Sequence, residues 1–215
     1  MEALTDNFDQ VLWGFWTTLK LFVVSAALSL VFGTILAAFR VAPFASLRAV
    51  GSTYVSVLRN TPLVVIFVFI VFGFPTIDVN ISFFWFACLA LTIYTSAFVC
   101  EAVRSGINAV AAGQAEAARA VGMTFGQTLG HVVLPQALRS VIPPIASILI
   151  ALAKNTSVAS AFGVVEAAKE MSDRIRDYPQ YLYIVFLGFA VGYALITLSI
   201  AASAKLLEKR LAVSR

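Results

Sequence analysis

The sequence predicts an all-α integral membrane protein with five transmembrane helices, organised as a single domain over 1–215. Three observations carry that expectation. Sixty per cent of its 215 residues are hydrophobic and only 12% are charged, about half the charged share of a soluble domain. Its mean hydropathy is +0.92. The apolar residues fall in long blocks rather than at amphipathic spacing, which is the pattern that a hydrocarbon core imposes on a spanning helix.

The first block runs from about Trp13 to Phe39. The residues before it are acidic (Glu2, Asp6, Asp9) and lack the basic start and small-residue cleavage site of a signal peptide, so the block is expected to stay in the mature protein. Lys20 stands about two turns inside, close enough to the end for its stem to snorkel outward. The second block runs from about Tyr54 to Phe74 and contains Arg59-Asn60-Thr61-Pro62-Leu63, where Pro62 suits the first turn of a helix. The third, from about Phe83 to Val103, holds both cysteines, Cys88 and Cys100, without a CxxC pair or His/Cys cluster. Neither a disulfide framework nor a metal site is indicated. At its end Glu101 and Arg104 share a helix face at i, i+3 and form a candidate ion pair.

The fourth block begins near Ala137 and is apolar to about Ala153, with Pro143-Pro144 expected to kink its inner end. Lys154-Asn155-Thr156-Ser157 then interrupts it. Asn, Thr and Ser bond to backbone and loosen a helix. The segment either turns the chain in the outer interface or breaks a helix where it lines a cavity, with free backbone groups for a substrate. The fifth block runs from about Tyr181 to Leu207. Since roughly 20 helical residues cross a bilayer, the first and last blocks are long enough to tilt.

Charge orients these blocks. An outside N-terminus puts Arg40, Arg48 and Arg59 in the first inner loop and Arg104, Arg119 and Arg139 around the second. Lys205, Lys209, Arg210 and Arg215 then lie at an inner C-terminus. The acidic N-terminal tail and the Phe74–Ser82 turn carry no Lys or Arg and lie outside; only Glu166–Asp177 is mixed. N-out, C-in therefore satisfies the positive-inside rule. Trp13, Trp16, Tyr54, Trp85, Tyr178, Tyr181 and Tyr183 near the block ends read as interfacial aromatics. The net charge of +4 and pI near 9.3 come from basic residues placed singly, so they set topology rather than form a nucleic-acid stripe.

The second inner loop, about Ser105 to Leu138, carries the informative motif. It reads Gly113-Gln114-Ala115-Glu116-Ala117-Ala118-Arg119-Ala120-Val121-Gly122, then nine residues, then Val132-Val133-Leu134-Pro135. The pattern predicts a helix, a glycine-permitted turn, a second short helix and a proline stop. Glu116, near the start of the first helix, suits its dipole. Ala117 and Ala118 offer a smooth surface to an approaching protein. Gly122, Gly126 and Gly130 are expected to line one face of the second helix, which alone means ordinary close packing.

As a whole, the motif resembles the EAA loop of binding-protein-dependent ABC importers: Glu-Ala-Ala, three residues, Gly, nine residues, an aliphatic residue, one residue, Leu-Pro. Arg59-Asn60-Thr61-Pro62-Leu63, Tyr94-Thr95-Ser96-Ala97-Phe98-Val99-Cys100-Glu101, Arg104-Ser105-Gly106-Ile107, Lys154-Asn155-Thr156-Ser157 and Leu134-Pro135-Gln136-Ala137 are similar to the polar amino-acid permeases of that family, above all those of actinobacterial glutamate importers. Cys100 departs from the Ala expected before the Glu. The resemblance implies a multi-pass permease of the bacterial cell membrane, with a cytoplasmic coupling helix (Gly113, Glu116, Ala117, Ala118, Gly122) seated in an ATPase. It also implies Thr61, Pro62, Asn155, Thr156 and Ser157 as substrate contacts.

No GxxxxGK[ST] sequence is present, so ATP and Mg are expected on a partner ABC ATPase dimer and no cofactor on this chain. Five helices are too few to enclose a path, which calls for a second permease subunit, identical or related. An extracytoplasmic solute-binding protein and membrane lipid complete the expected partners; nucleic acid is not among them. Glutamate is the expected substrate, with glutamine, aspartate or a basic amino acid as alternatives. A channel would need a filter or pore-lining polar stripe, and an intramembrane enzyme a catalytic constellation that one histidine and two separated cysteines do not supply. Neither accounts for the loop motif.

Overall fold

The computed structural model describes residues 7–211, all of whose regular elements are helical; Glu2, Asp6 and Arg215 lie outside the described residues. Helix α1 spans Phe8–Val41, α2 Ala45–Arg59, α3 Leu63–Gly73 and α4 Phe83–Asn108. Then come α5 (Ala112–Ala120), α6 (Leu134–Asn155), α7 (Ala167–Asp177) and α8 (Leu182–Leu211).

Four helical stretches are long and apolar enough to cross a membrane: Phe8–Val41, Phe83–Asn108, Gly130–Phe162 and Pro179–Arg210. The second expected block is different. Ala45–Arg59 and Leu63–Ile77 meet at 103°, so the block is a corner and counts as a fifth span only if the bent pair is taken together. The cause is Pro62. It disfavours helical geometry at the residue before it, and it brings no N–H to the Leu58 carbonyl, which takes a 3.4 Å bond from the Thr61 N–H instead. Asn60 and Thr61 donate their side chains to the Ser56 and Val57 carbonyls at 2.7 and 2.8 Å, closing the helix end. Pro62 is therefore the N-cap of α3, not a first-turn residue.

Helix α4 is the centre of the bundle: 61% of its most apolar window is buried, against 33% or less in the other three spans. Small residues let its neighbours approach, as lipid-embedded helices require. A Cβ on Gly33 of α1 would lie 2.5 Å from Val99, and one on Gly106 would lie 2.0 Å from Val141 of α6. Phe67, Leu91, Leu152 and Leu21 fill the largest apolar core. Tyr54, expected at the interface, instead faces inward and donates to the Ile93 carbonyl at 2.8 Å. Helix α6 runs through Pro143 and Pro144 without being divided.

Candidate functional site

The loop between α4 and α6 builds its surface from short-range bonds. Helix α5 ends in a Schellman motif: Gly122, at φ +88°, donates to the Arg119 carbonyl at 3.0 Å, and Met123 donates to the Ala118 carbonyl at 3.1 Å. A reciprocal capping box follows, with Gln127 N–H donating to Thr124 Oγ1 at 3.3 Å and Thr124 N–H to Gln127 Oε1 at 2.9 Å. Thr128–Val133 forms a short π-helix that leads into α6.

Four expectations for this loop change. Gly113 lies inside α5, and Glu116 is at its middle rather than its start, so the dipole argument loses its force. Ala118 is buried within the chain, whereas Gly113, Glu116 and Ala117 are exposed. The three spaced glycines do not share one helix face. Gly122 forms the turn, and a Cβ on Gly126 or Gly130 would meet nothing within 4 Å. Pro135 stands in the first turn of α6 and begins that helix rather than ending the one before it.

The second region is polar and lies along α4. Glu101 accepts from Arg104, the expected pair, and also from Arg40, 61 residues away in sequence. Both guanidiniums donate to one carboxylate, which becomes the hub of a triad. Arg40 and Glu101 of the triad border a cavity of about 420 Å³, which Ser56, Arg59 and Asn60 also line. The Arg59 guanidinium sits 5.6 Å from the Phe98 ring centroid. Phe98 also borders a second cavity of about 220 Å³, with Tyr94, Thr95, Ser147 and Asn155.

The expected substrate residues do not converge on one pocket. Asn155 faces the cavity at Tyr94 and Thr95. Ser157 faces a different one, shared with Lys154 and Tyr193. Thr156 is fully buried. Thr61 and Pro62 form the corner between α2 and α3. Nor does the chain unwind at Lys154–Ser157. It tightens from α-helix into a 3₁₀ helix over Thr156–Phe162, and the Thr156 and Ser157 hydroxyls donate to carbonyls three residues back at 2.8 and 2.7 Å. The free backbone groups anticipated at a break are thus not provided there. Lys20 sits with its ammonium 4.8 Å from the Trp13 ring, reaching back along α1 as a snorkelling lysine does.

One buried group escaped the sequence reading. Glu166, the first residue of the charge-mixed segment, is fully buried and caps α7. It accepts from the Thr18 hydroxyl at 3.0 Å, the Tyr193 hydroxyl at 2.7 Å and the Lys169 N–H at 3.0 Å. The only local hint was a single acid amid Val164-Val165-Glu166-Ala167-Ala168.

A small-residue-packed helical membrane bundle, with one polar and one largely apolar cavity along its central helix and an exposed loop helix, fits a multi-pass membrane transport component. The family model for "binding-protein-dependent transport system inner membrane component" matches residues 29–213, and the chain belongs to that family. It is 41% identical to the glutamate transport system permease protein GluC of Corynebacterium glutamicum, over 98% of this chain and 97% of that one. It is 38% identical to the probable glutamine ABC transporter permease protein GlnM of Bacillus subtilis, over 98% and 97%. The crystal structure of an amino acid ABC transporter with histidines superposes with a TM-score of 0.88 at 29% identity, covering 97% of both chains. The MetNI methionine ABC transporter, at 22% identity and a TM-score of 0.75, shares the fold.

Proposed function

We propose that this chain is the membrane-spanning permease subunit of an ATP-driven importer of polar amino acids, with glutamate as its substrate. One observation carries the reading: 41% identity to a glutamate permease along nearly the whole of both chains. The exposed Glu116 and Ala117 on a helix ended by Gly122 suit a coupling surface for a cytoplasmic ABC ATPase dimer. The distribution of basic residues supports an outside N-terminus and an inside C-terminus, which puts this helix on the ATPase side.

In this reading a binding protein delivers the amino acid to the outer face. ATPase closure, passed through Gly113–Gly122, opens the path outward, and hydrolysis, with ATP and Mg held on the partner, resets it. A second permease subunit completes the path. The cavity at Asn155, Tyr94 and Thr95 is the first candidate for the substrate. Thr61, Pro62 and Ser157 are candidates in a state that brings them to the same path, with Thr156 supporting them from within. Glutamine is the second reading, favoured by the 38% identity to a probable glutamine permease.

The test is ATP-dependent uptake of labelled glutamate into proteoliposomes containing the permease, its ATPase and its binding protein. Uptake that yields only to excess glutamate or aspartate supports the proposal. Competition by glutamine alone replaces the substrate, and flux without ATP replaces the class with a channel. Glu116→Lys should abolish uptake while the binding protein still docks; wild-type uptake in that variant removes the coupling role.

A further inference from the structure

Two cavities follow one another along α4. Tyr94 and Phe98 border the one that Asn155 faces, and Phe98 and Glu101 border the other. Residues 94, 98 and 101 stand at i, i+4 and i+7, one face of a helix, and rise about 10 Å along its axis. The second cavity therefore lies toward the end of α4 that leads to the loop helix α5. Phe98 is common to both, with its ring centroid 4.9 Å from that of Tyr94 and 5.6 Å from the Arg59 guanidinium.

The charges of the second cavity do not balance. Arg40, Arg59 and Glu101 line it. The Glu101 carboxylate is engaged twice already, by Arg40 and by Arg104. Among the described residues no acid pairs with Arg59. Its contact with the Phe98 ring favours a cation without neutralising it. Asn60, in the same lining, carries two amide N–H groups and gives one to the Ser56 carbonyl. A guanidinium fork and an amide donor together suit a carboxylate.

We propose that this cavity is an anion-binding site, in which Arg59 takes a carboxylate of the amino acid after it has left the cavity at Asn155 and before it reaches the cytoplasm. The path rests on the reading given under Proposed function; the anion site itself does not. A positive cavity of this kind also favours glutamate, which carries a net negative charge, over glutamine.

The test uses the assembled importer in nanodiscs of neutral lipid, with Ser56→Cys as the reporter, because Ser56 is exposed and lines the cavity. The native Cys88 and Cys100 are buried, and a parent without the reporter gives their background. An anionic and a cationic methanethiosulfonate of similar size are compared, each rate normalised to that with a free thiol. The anionic reagent should be favoured about tenfold, as a cleft of one sign concentrates counter-ions. Arg59→Gln should remove that preference and Arg59→Lys should keep most of it. No preference, reaction with neither reagent, or an equal fall in both Arg59 variants overturns the proposal.

Ligand identity is read from protection of the same thiol. Excess glutamate should slow labelling about fivefold or more, whereas glutamine, and chloride at the same ionic strength, should not. Equal protection by chloride overturns the carboxylate assignment. So does protection that comes only from adding phosphatidylglycerol to the disc, which would give the site to a lipid phosphate. Glutamate uptake without protection refutes the site and leaves the importer reading standing. Protection by glutamate in an importer that takes up only glutamine supports the anion site and refutes glutamate as the substrate.

Discussion

Replacing Glu101 with Gln removes the hub of a triad and leaves two guanidiniums facing each other without an anion. The side chains of Arg40, Glu101 and Arg104 are 17%, 26% and 31% exposed. They lie between the limits for which magnitudes are known. Stranding a partner of a buried ion pair costs about 3–5 kcal/mol, and losing an exposed pair costs up to about 1 kcal/mol. A cost of about 2–3 kcal/mol follows for Glu101→Gln, or about 4–12 °C in melting temperature for a chain of this size. Arg104→Gln differs in kind, since Glu101 keeps Arg40. It removes one partly exposed contact and strands nothing, a loss of about 1 kcal/mol or about 2–4 °C. Thermal melting of the detergent-solubilised protein, followed by fluorescence-detected size exclusion, separates the two. An Arg104→Gln shift as large as that of Glu101→Gln would refute the hub, because independent pairwise contacts would then account for the site.

Two further perturbations follow from the same geometry. Gly33→Ala forces a methyl to within 2.5 Å of Val99 and 2.9 Å of the Ser96 carbonyl, an overpacking cost of about 1–3 kcal/mol; Gly126→Ala meets nothing within 4 Å and should change stability by less than about 0.5 kcal/mol. Melting the two variants side by side checks both. Burial raises the Glu170 carboxyl above the ordinary glutamate value, with Arg174 opposing the shift. The folded state then holds that proton more tightly than the unfolded one, so its contribution is favourable below the ordinary value and is lost as pH rises through the raised one. Glu170→Gln should accordingly melt above the wild type at neutral pH and with it at about pH 3, below the ordinary glutamate value, where both side chains are neutral; a gap that persists in acid refutes the assignment.

What was legible in the sequence depended on range. Long apolar runs locate the spans because the bilayer acts on each segment separately. Glu101 and Arg104 were readable as a pair because i, i+3 spacing makes them neighbours on any helix. Arg40 was not, since its contact with Glu101 crosses 61 residues and needs α1 and α4 already packed. Glu166 is similar: its contact with Thr18 spans 148 residues. The corner at Pro62 was hidden for another reason. Hydropathy stays high on both sides, and composition registers no angle. At Thr156 and Ser157 the residue types were read correctly as backbone-bonding, but their hydroxyls turned to carbonyls three back, which tightens a helix instead of opening it.

The two acid sites, Glu166 buried and Glu101 partly exposed, also explain how α1 is held. Thr18 bonds to Glu166 near one end and Arg40 to Glu101 near the other. At 1.5 Å per residue the intervening rise is about 33 Å, close to the thickness of a hydrocarbon core, about 30 Å. Between them α1 uses small groups: Ser25, Ala26, Ser29, Gly33 and Ala37 are buried, with Gly33 against Val99. That division follows from the solvent. A charged cross-link is tolerated where desolvation is incomplete, as at the partly exposed Glu101, or where its oxygens are fully bonded, as at the buried Glu166. In the middle, lipid offers no hydrophobic gain and close backbone packing must supply the attraction. The arrangement leaves α1 pinned at both ends by polar bonds and free, along its middle, of any ion pair that a sliding motion would have to break. A conformational cycle that shifts α1 against α4 must therefore release the Arg40–Glu101 pin, whereas the Thr18–Glu166 pin ties α1 to α7 and need not break; Glu101→Gln removes the first and leaves the second.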